Sequence, residues 1–499
     1  MNIDNYLRLD ATSLAELVRQ KEVKPSELVE LSFEQLEKVN PALNAVTHMR
    51  RERVLAESKR VDIGNQPFAG VPILLKNISQ ALQNEPLTSG AKLLSKWVVD
   101  HDSHFVKKLR EAGFLFIGHT NTPEFGLKNI TEPELYGATR NPWNPDYSPG
   151  GSSGGAAAAI ASGIVPLAGA SDGGGSIRIP ASFSSLVGLK PTRGRTSVGP
   201  GVGRQWQGAS IDFVLSRSVR DSAAMLDQLQ VIQQAAAFQT PLLEGSSVDA
   251  INRPFARRLK IAFTTKSPVA TPVSEEAQTA VRKVVQWLES EGHIVEELDN
   301  QVDGIQLMQD YFFMNSGEMA AVVEQLERAI GRTITANDVE IETWLLNKIG
   351  KSISAAKYSA SLASWDTAAA QMATVHESYD LYITPSTAFA APKIGELTHS
   401  TAAQKQLLFE MDEASGIEQQ QEIMYNMFLP SLTYTPFTQL ANLTGQPAIS
   451  LPVHVTQAGL PLGVQVMAGK GEERVLLQLA AQLEQTDLWV GMKGNPLFD

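Results

Sequence analysis

Between Tyr147 and Ser171 the chain runs for 25 residues without a charged side chain. The stretch is Gly, Ser and Ala with Pro149 and Pro166, and it lacks the long apolar side chains that a membrane span of about 20 residues requires. It is expected to be tightly packed backbone inside a protein. Between Ser148 and Ser176 lie Gly150, Gly151, Gly154, Gly155, Gly163, Gly169, Gly173, Gly174 and Gly175, nine of the 37 glycines in 499 residues. Glycine at this density lets backbone approach backbone or ligand. A hydrophobic content of 43% against 19% charge gives such a segment a core to sit in.

The surrounding sequence alternates helices and strands. Ser13 and Glu16 fit a capping box before Leu14, Leu17 and Val18. Pro25 opens a second helix bearing Leu28, Leu31, Leu36 and Val39, which Asn40-Pro41 is expected to end. Arg50–Arg60 reads as a helix with a solvated basic face. Strands are expected at 71–75, 114–117, 259–263, 293–297 and 380–383, with helices at 103–112, 274–291 and 472–485. The segments 448–452 and 462–467 can pair around Gln457-Ala458-Gly459. This alternation implies an α/β fold with a mixed sheet. No repeat or Pro-rich hinge divides the chain, so one domain over 1–499 is expected: a helical region at 1–65, a core at 66–220, and a helical segment at 300–440 that caps the site. Met1–Asp10 has no apolar run that would make a signal peptide.

Several chemistries are open on local pattern. Gly151-Ser152-Ser153-Gly154-Gly155 satisfies G-x-S-x-G around Ser153, but a loop leads into it where a nucleophile elbow needs a strand. No G-x-x-x-x-G-K-[ST] occurs, which speaks against a phosphate cradle. In Asp172-Gly173-Gly174-Gly175-Ser176, successive backbone N–H groups can point into one concavity and hold an anion or an oxyanion; a turn with a buried serine is the other reading. A serine nucleophile needs a proton acceptor. Histidine is scarce, and His101 and His104 read as surface residues. Lys76 ends the apolar run Val71–Leu75. Burial lowers a lysine's pKa and makes it a base near neutrality, while snorkelling from a strand end is the alternative. The S-x-x-K pairs Ser89/Lys92 and Ser354/Lys357 carry little weight.

The chain has no cysteine. That excludes disulfides, Cys-rich zinc sites and a cysteine nucleophile, and it suits a reducing cytosol. A formal charge of −12 argues against coating nucleic acid or an anionic membrane.

Lys76, the run Pro149–Ala159 and the run Ser171–Pro180 together resemble the amidase signature family. Gly70–Lys76, Thr120–Gly126, Asn141–Pro145, Gly188–Gly194 and Gln439–Ala448 also look like family segments, so the resemblance covers most of the chain, with 300–430 the least diagnostic. Arg195–Pro200, Trp206 and Val214–Ser222 look most like its amidase and 6-aminohexanoate-cyclic-dimer-hydrolase members. The resemblance implies the amidase-signature fold, a mixed twisted sheet with helices on both faces. It implies hydrolysis of small amides through a Ser-cisSer-Lys triad: Ser176 as nucleophile, Ser152 as the bridge after a cis peptide bond, and Lys76 as base. Gly173, Gly174 and Gly175 would form the oxyanion hole with Ser176, and the Gly126 carbonyl would accept from the substrate amide. Ser153, Asp172 and Arg178 would be structural. The implied partner is a small-molecule amide, with no cofactor, metal, nucleic acid or membrane; a homodimer is compatible, and the implied location is cytoplasmic. An esterase, or the A subunit of a glutamine-dependent amidotransferase, is the alternative. Asn77 and Gly173 stand where many members have Asp and Ile or Thr.

Overall fold

The computed structural model describes residues 1–64 and 66–498. Its strands are β1 (Val46–Met49), β2 (Pro72–Lys76), β3 (Leu115–Thr120), β4 (Leu167–Asp172), β5 (Val187–Lys190), β6 (Ile211–Ser216), β7 (Lys260–Phe263), β8 (Ile294–Glu297), β9 (Leu381–Pro385), β10 (Ala448–Val455) and β11 (Pro461–Ala468). Among the described residues they form one sheet in the order β1-β3-β2-β4-β6-β5-β10-β11-β9-β7-β8. β2 is parallel to both β3 and β4, whereas β4-β6-β5-β10-β11-β9 is antiparallel throughout. The sheet is mixed and flanked by helices, an α/β architecture as the alternation implies. β10 and β11 pair in antiparallel around the turn at Gln457–Gly459.

The uncharged stretch is buried from Ser148 to Ser171. Its helix Gly154–Ala161 has no polar face, and every residue in it is buried, as a helix that is apolar all round must be. Two glycines there are demanded by close approach. A Cβ on Gly155 would lie 2.4 Å from the Asn121 nitrogen, and one on Gly151 would lie 2.6 Å from the Ile130 oxygen.

Three local expectations are corrected. The helix Ala11–Arg19 is capped by Asp10, not Ser13: Asp10 accepts from Ser13 N–H, and Asp221 accepts from the N–H groups of Ala11 and Thr12. The second helix runs Pro25–Leu43, carrying Pro41 in its last turn, and ends on Asn44 in the left-handed region. Arg50 precedes the helix Arg51–Ser58 and is buried, paired with Glu57 and Glu85, because those carboxylates compensate its desolvation.

Residues 300–440 are mainly helical around β9: Gly304–Ile330, Ile341–Gly350, Ala355–Ser378, Thr401–Glu413, Ile417–Tyr434 and the start of Gln439–Thr444. They build a separate apolar cluster holding Met308, Met319, Met411, Met424 and Met427, with Phe312 stacked on Phe428 at 4.9 Å. Methionine fills irregular gaps and adapts to what it packs against. No helix among the described residues is long and apolar enough to cross a membrane.

Candidate active site

β3, β2 and β4 are neighbouring parallel strands, so their C-terminal ends share one edge, the place where α/β sheets usually bind ligands. Lys76 is the last residue of β2, Asp172 is the last of β4, and the chain leaving β3 turns through Glu124–Gly126. Topology thus gathers three segments that are about 50 residues apart in sequence.

Lys76 is fully buried. Its Nζ lies 2.8 Å from Ser152 Oγ, 2.9 Å from Ser171 Oγ and 3.5 Å from the Ser171 carbonyl oxygen. Burial brings its pKa down to about 7, against the opposing pull of Asp212 and Asp172. Asp212 is itself pushed up by burial and is held by Ser79, Gln80 and Gln205. A buried amine with a substantial neutral fraction at pH 7, within hydrogen-bond distance of a hydroxyl, can take up a proton from it.

The Gly151–Ser152 peptide bond is cis. Thr122 Oγ1 donates to the Ser152 carbonyl at 2.9 Å. Ser153 is fully buried, and its Oγ donates to the Ser171 carbonyl at 3.2 Å; it stands just before a helix, not on a strand-to-helix elbow.

The loop 172–176 is tied down from behind. Asp172 accepts from Gly175 N–H (2.7 Å), Ile177 N–H (3.1 Å), Arg178 Nε and Nη2, and Asn442 Nδ2. Burial would raise the Asp172 pKa, but the Arg178 guanidinium holds it well below the usual carboxylate range. Arg178 spends its remaining N–H groups on Thr438 O, Gln465 Oε1 and Asn442 Oδ1, so all five donors are used. The loop carbonyls are held as well: Asp172 O by Asn442 Nδ2, Gly173 O by the Tyr311 hydroxyl and Gly174 O by Thr438 Oγ1. Gly175 N–H is therefore committed to Asp172 and drops out of the expected oxyanion donors. Among the described residues, the N–H groups of Gly173, Gly174 and Ser176 have no acceptor within the chain, and Ser176 Oγ has no hydrogen-bond partner there.

Ser152, Ser171, Ser176, Gly126, Gly173 and Gly174 line one cavity of about 540 Å³. Its other walls are largely apolar, with Phe125, Trp206, Tyr311, Phe312, Phe428 and Leu432 prominent. A Cβ placed on Gly126 would stand 3.2 Å from Ser152 Oγ, so this turn closes directly over the serine. A Cβ on Gly173 would meet nothing closer than Ser210 at 3.4 Å, room enough for a larger residue. Asn77 Nδ2 donates to Thr88 Oγ1 and its Oδ1 accepts from Thr88 N–H.

The walls come from 125–129, 199–210 and the 300–440 helices, the segment expected to cap the site, and also from 78–103. His101 stands at the rim beside Asp100, and His104 Nδ1 meets the Val198 carbonyl. Ser171, Asp212, Tyr311, Thr438 and Asn442 were not given roles from sequence. Ser171 and Asn442 sit inside the quoted motifs, whereas Tyr311 carries no local signal.

The Amidase family model matches residues 27–477. The lipoamidase of Enterococcus faecalis is 40% identical over 482 residues, covering 96% of this chain but 63% of that protein, so the chain spans less than two thirds of that relative's length. The 6-aminohexanoate-cyclic-dimer hydrolase of Paenarthrobacter ureafaciens is 37% identical over 499 residues, covering 97% and 96%. The solved structure of a 6-aminohexanoate cyclic dimer hydrolase complexed with substrate superposes with a TM-score of 0.89 at 35% identity, covering 99% of this chain and 100% of that one.

Proposed function

The chain belongs to the amidase family, and from that membership we propose that it hydrolyses carbon–nitrogen bonds of small amides through an acyl-enzyme on Ser176. The observation that carries this reading is the buried Lys76 amine, 2.8 Å from Ser152 Oγ, in a cavity that Ser176 shares.

The neutral Lys76 amine accepts the Ser152 proton as Ser152 accepts that of Ser176. Ser176 Oγ then bonds to the amide carbon. The oxyanion formed is received by the N–H groups of Gly173, Gly174 and Ser176, which no other group claims and which the tethered carbonyls keep in place. When the C–N bond breaks, the proton returns through Ser152 to the leaving nitrogen. Water attacks the resulting ester as Lys76 again takes a proton through Ser152; that proton then returns through Ser152 to Ser176 Oγ as the ester bond breaks and the acid leaves. Gly126, which lines the same cavity, orients the substrate N–H through its carbonyl. Ser153, Asp172 and Arg178 hold the loops. No cofactor enters these steps. A cytoplasmic location and a single catalytic unit belong to the same proposal; the lack of cysteine suits a reducing compartment.

The test is hydrolysis of aryl and alkyl amides by the purified protein. Ser176→Ala and Lys76→Ala are expected to lose at least about a hundredfold in kcat/KM with the fold kept, as for groups that act in the transition state. Full activity in Ser176→Ala contradicts the proposal. Activity kept in Lys76→Ala points to an esterase-like site with another base. Activity that appears only with a second subunit points to the amidotransferase alternative.

A further inference from the structure

One carboxylate faces the cavity without a part in the chemistry above. On the helix Gly304–Ile330, Met308, Tyr311, Asn315, Glu318, Val322 and Gln325 line the cavity, at spacings of three and four that put them on one face. This stripe begins at the oxyanion loop, where the Tyr311 hydroxyl donates to Gly173 O at 3.0 Å. Seven residues later, at a rise of about 1.5 Å each, Glu318 stands roughly 10 Å along the axis.

Glu318 is the only carboxylate among the described lining residues. Its Oε1 is fixed by Tyr358 OH at 2.6 Å and Gln207 Nε2 at 2.7 Å, while Oε2 has no hydrogen bond among the described residues. Among the described residues neither cation of the lining forms an ion pair with it: Lys128 is bonded to Glu340, and the exposed Arg204 acts electrostatically on Tyr358. The wall around it is apolar at Trp206, Phe312 and Val322. A carboxylate oxygen left open on a largely apolar wall can accept from a charged donor, and a charge-assisted hydrogen bond is stronger than a neutral one.

Resting on the amidase reading, we propose that Glu318 is a specificity residue that receives a substrate ammonium group, so that the preferred amides carry a primary amine about 10 Å from the scissile carbonyl. The chain length follows from covalent geometry. An extended chain advances roughly 1.2 Å per bond, so six bonds from carbonyl carbon to nitrogen span roughly 7 Å. A charge-assisted contact of about 2.8 Å completes the distance. A six-carbon ω-amino acyl group has this reach, as does an amine-side chain of similar length.

Two matched substrate pairs test this: 6-aminohexanoyl p-nitroanilide against hexanoyl p-nitroanilide, and the mono-hexanoyl amide of 1,5-diaminopentane against the hexanoyl amide of pentylamine. In at least one pair the wild-type protein is expected to favour the ammonium member in kcat/KM by about tenfold, the scale of one charge-assisted hydrogen bond. Whichever pair shows the preference identifies the side of the scissile bond that Glu318 reads. Glu318→Gln keeps an acceptor for Tyr358 and Gln207. It is expected to erase the preference through KM while the neutral member stays within about threefold. Equal wild-type rates within both pairs, or equal losses on charged and neutral members in Glu318→Gln, overturn the assignment. Hydrolysis of none of the four contradicts the amidase reading itself, and this assignment with it.

Discussion

Lys76 shows how far one side chain's environment sets its chemistry. It ends an apolar strand, and burial alone brings its pKa near 7, although Asp172 and Asp212 pull the other way. The base is the neutral form, so kcat/KM is expected to rise with pH through about 7 and to fall away below it as the amine protonates. A pH–rate profile measured between pH 5 and 9 checks this; activity independent of pH across that range contradicts it. Gly174 makes a second point at this scale. A Cβ there would lie 2.8 Å from the Tyr311 hydroxyl, which holds the Gly173 carbonyl. Gly174→Ala is expected to lower kcat by about ten- to a hundredfold, because misplaced oxyanion donors cost on that scale, while KM changes little. The glycine-rich loop was legible in the sequence as a nest. Which N–H groups stay open was not: the loss of Gly175 to Asp172 is set by Arg178 and Asn442, and Asn442 arrives from some 270 residues away.

Among elements, the join between β4 and its following loop rests on Asp172 and Arg178. Both are fully buried, and Arg178 reaches residues near 440 and 465. Asp172→Asn leaves a buried guanidinium without its counter-charge and is expected to cost about 3–5 kcal/mol, read by urea denaturation. Tyr311→Phe removes one tether from the same loop; it is expected to keep the fold and to lower kcat. Sequence pattern located β2, β3, β7, β8, β9, β10 and β11 to within a few residues, since strands such as β2 and β3 are continuous apolar runs, but it gave no bounds for β1, β4, β5 or β6. It failed where a distant partner decides. Asp221 shares the capping of Ala11–Arg19, and Glu85 draws Arg50 inside; neither is near in sequence to the residue it affects.

Across the whole molecule, the helix Ala11–Arg19, the helix Val219–Leu229 and the last helix, Glu473–Glu484, meet around Asp10, Asp221 and Glu484. Burial and the neighbouring Asp10 and Asp221 raise the Glu484 pKa to about 7, and burial and Asp10 raise that of Asp221 to about 6. A carboxyl group whose folded pKa is raised binds its proton more tightly in the folded state. Its contribution is complete below the unfolded value, near 4.5 for Glu, and is lost as pH rises through about 7. Glu484→Gln is therefore expected to be more stable than the wild type at pH 8, by about 1–2 kcal/mol, and equal to it at pH 4. Urea unfolding at the two pH values checks this, and a stabilisation present at both contradicts it. At this scale the family and the mixed sheet were readable from motifs scattered over the chain. The cavity walls of 300–440 were readable only as helical, because the side chains that face the site are chosen by how those helices pack. The whole proposed catalytic cycle passes through a covalent intermediate on Ser176. Brief incubation with an activated amide or ester, acid quench, and localisation of the added mass within the peptide Asn141–Arg178 test it directly. The expected result is one acyl group on Ser176, absent in Ser176→Ala; an acyl group on another residue, or turnover of amides in Ser176→Ala at the wild-type rate, contradicts it.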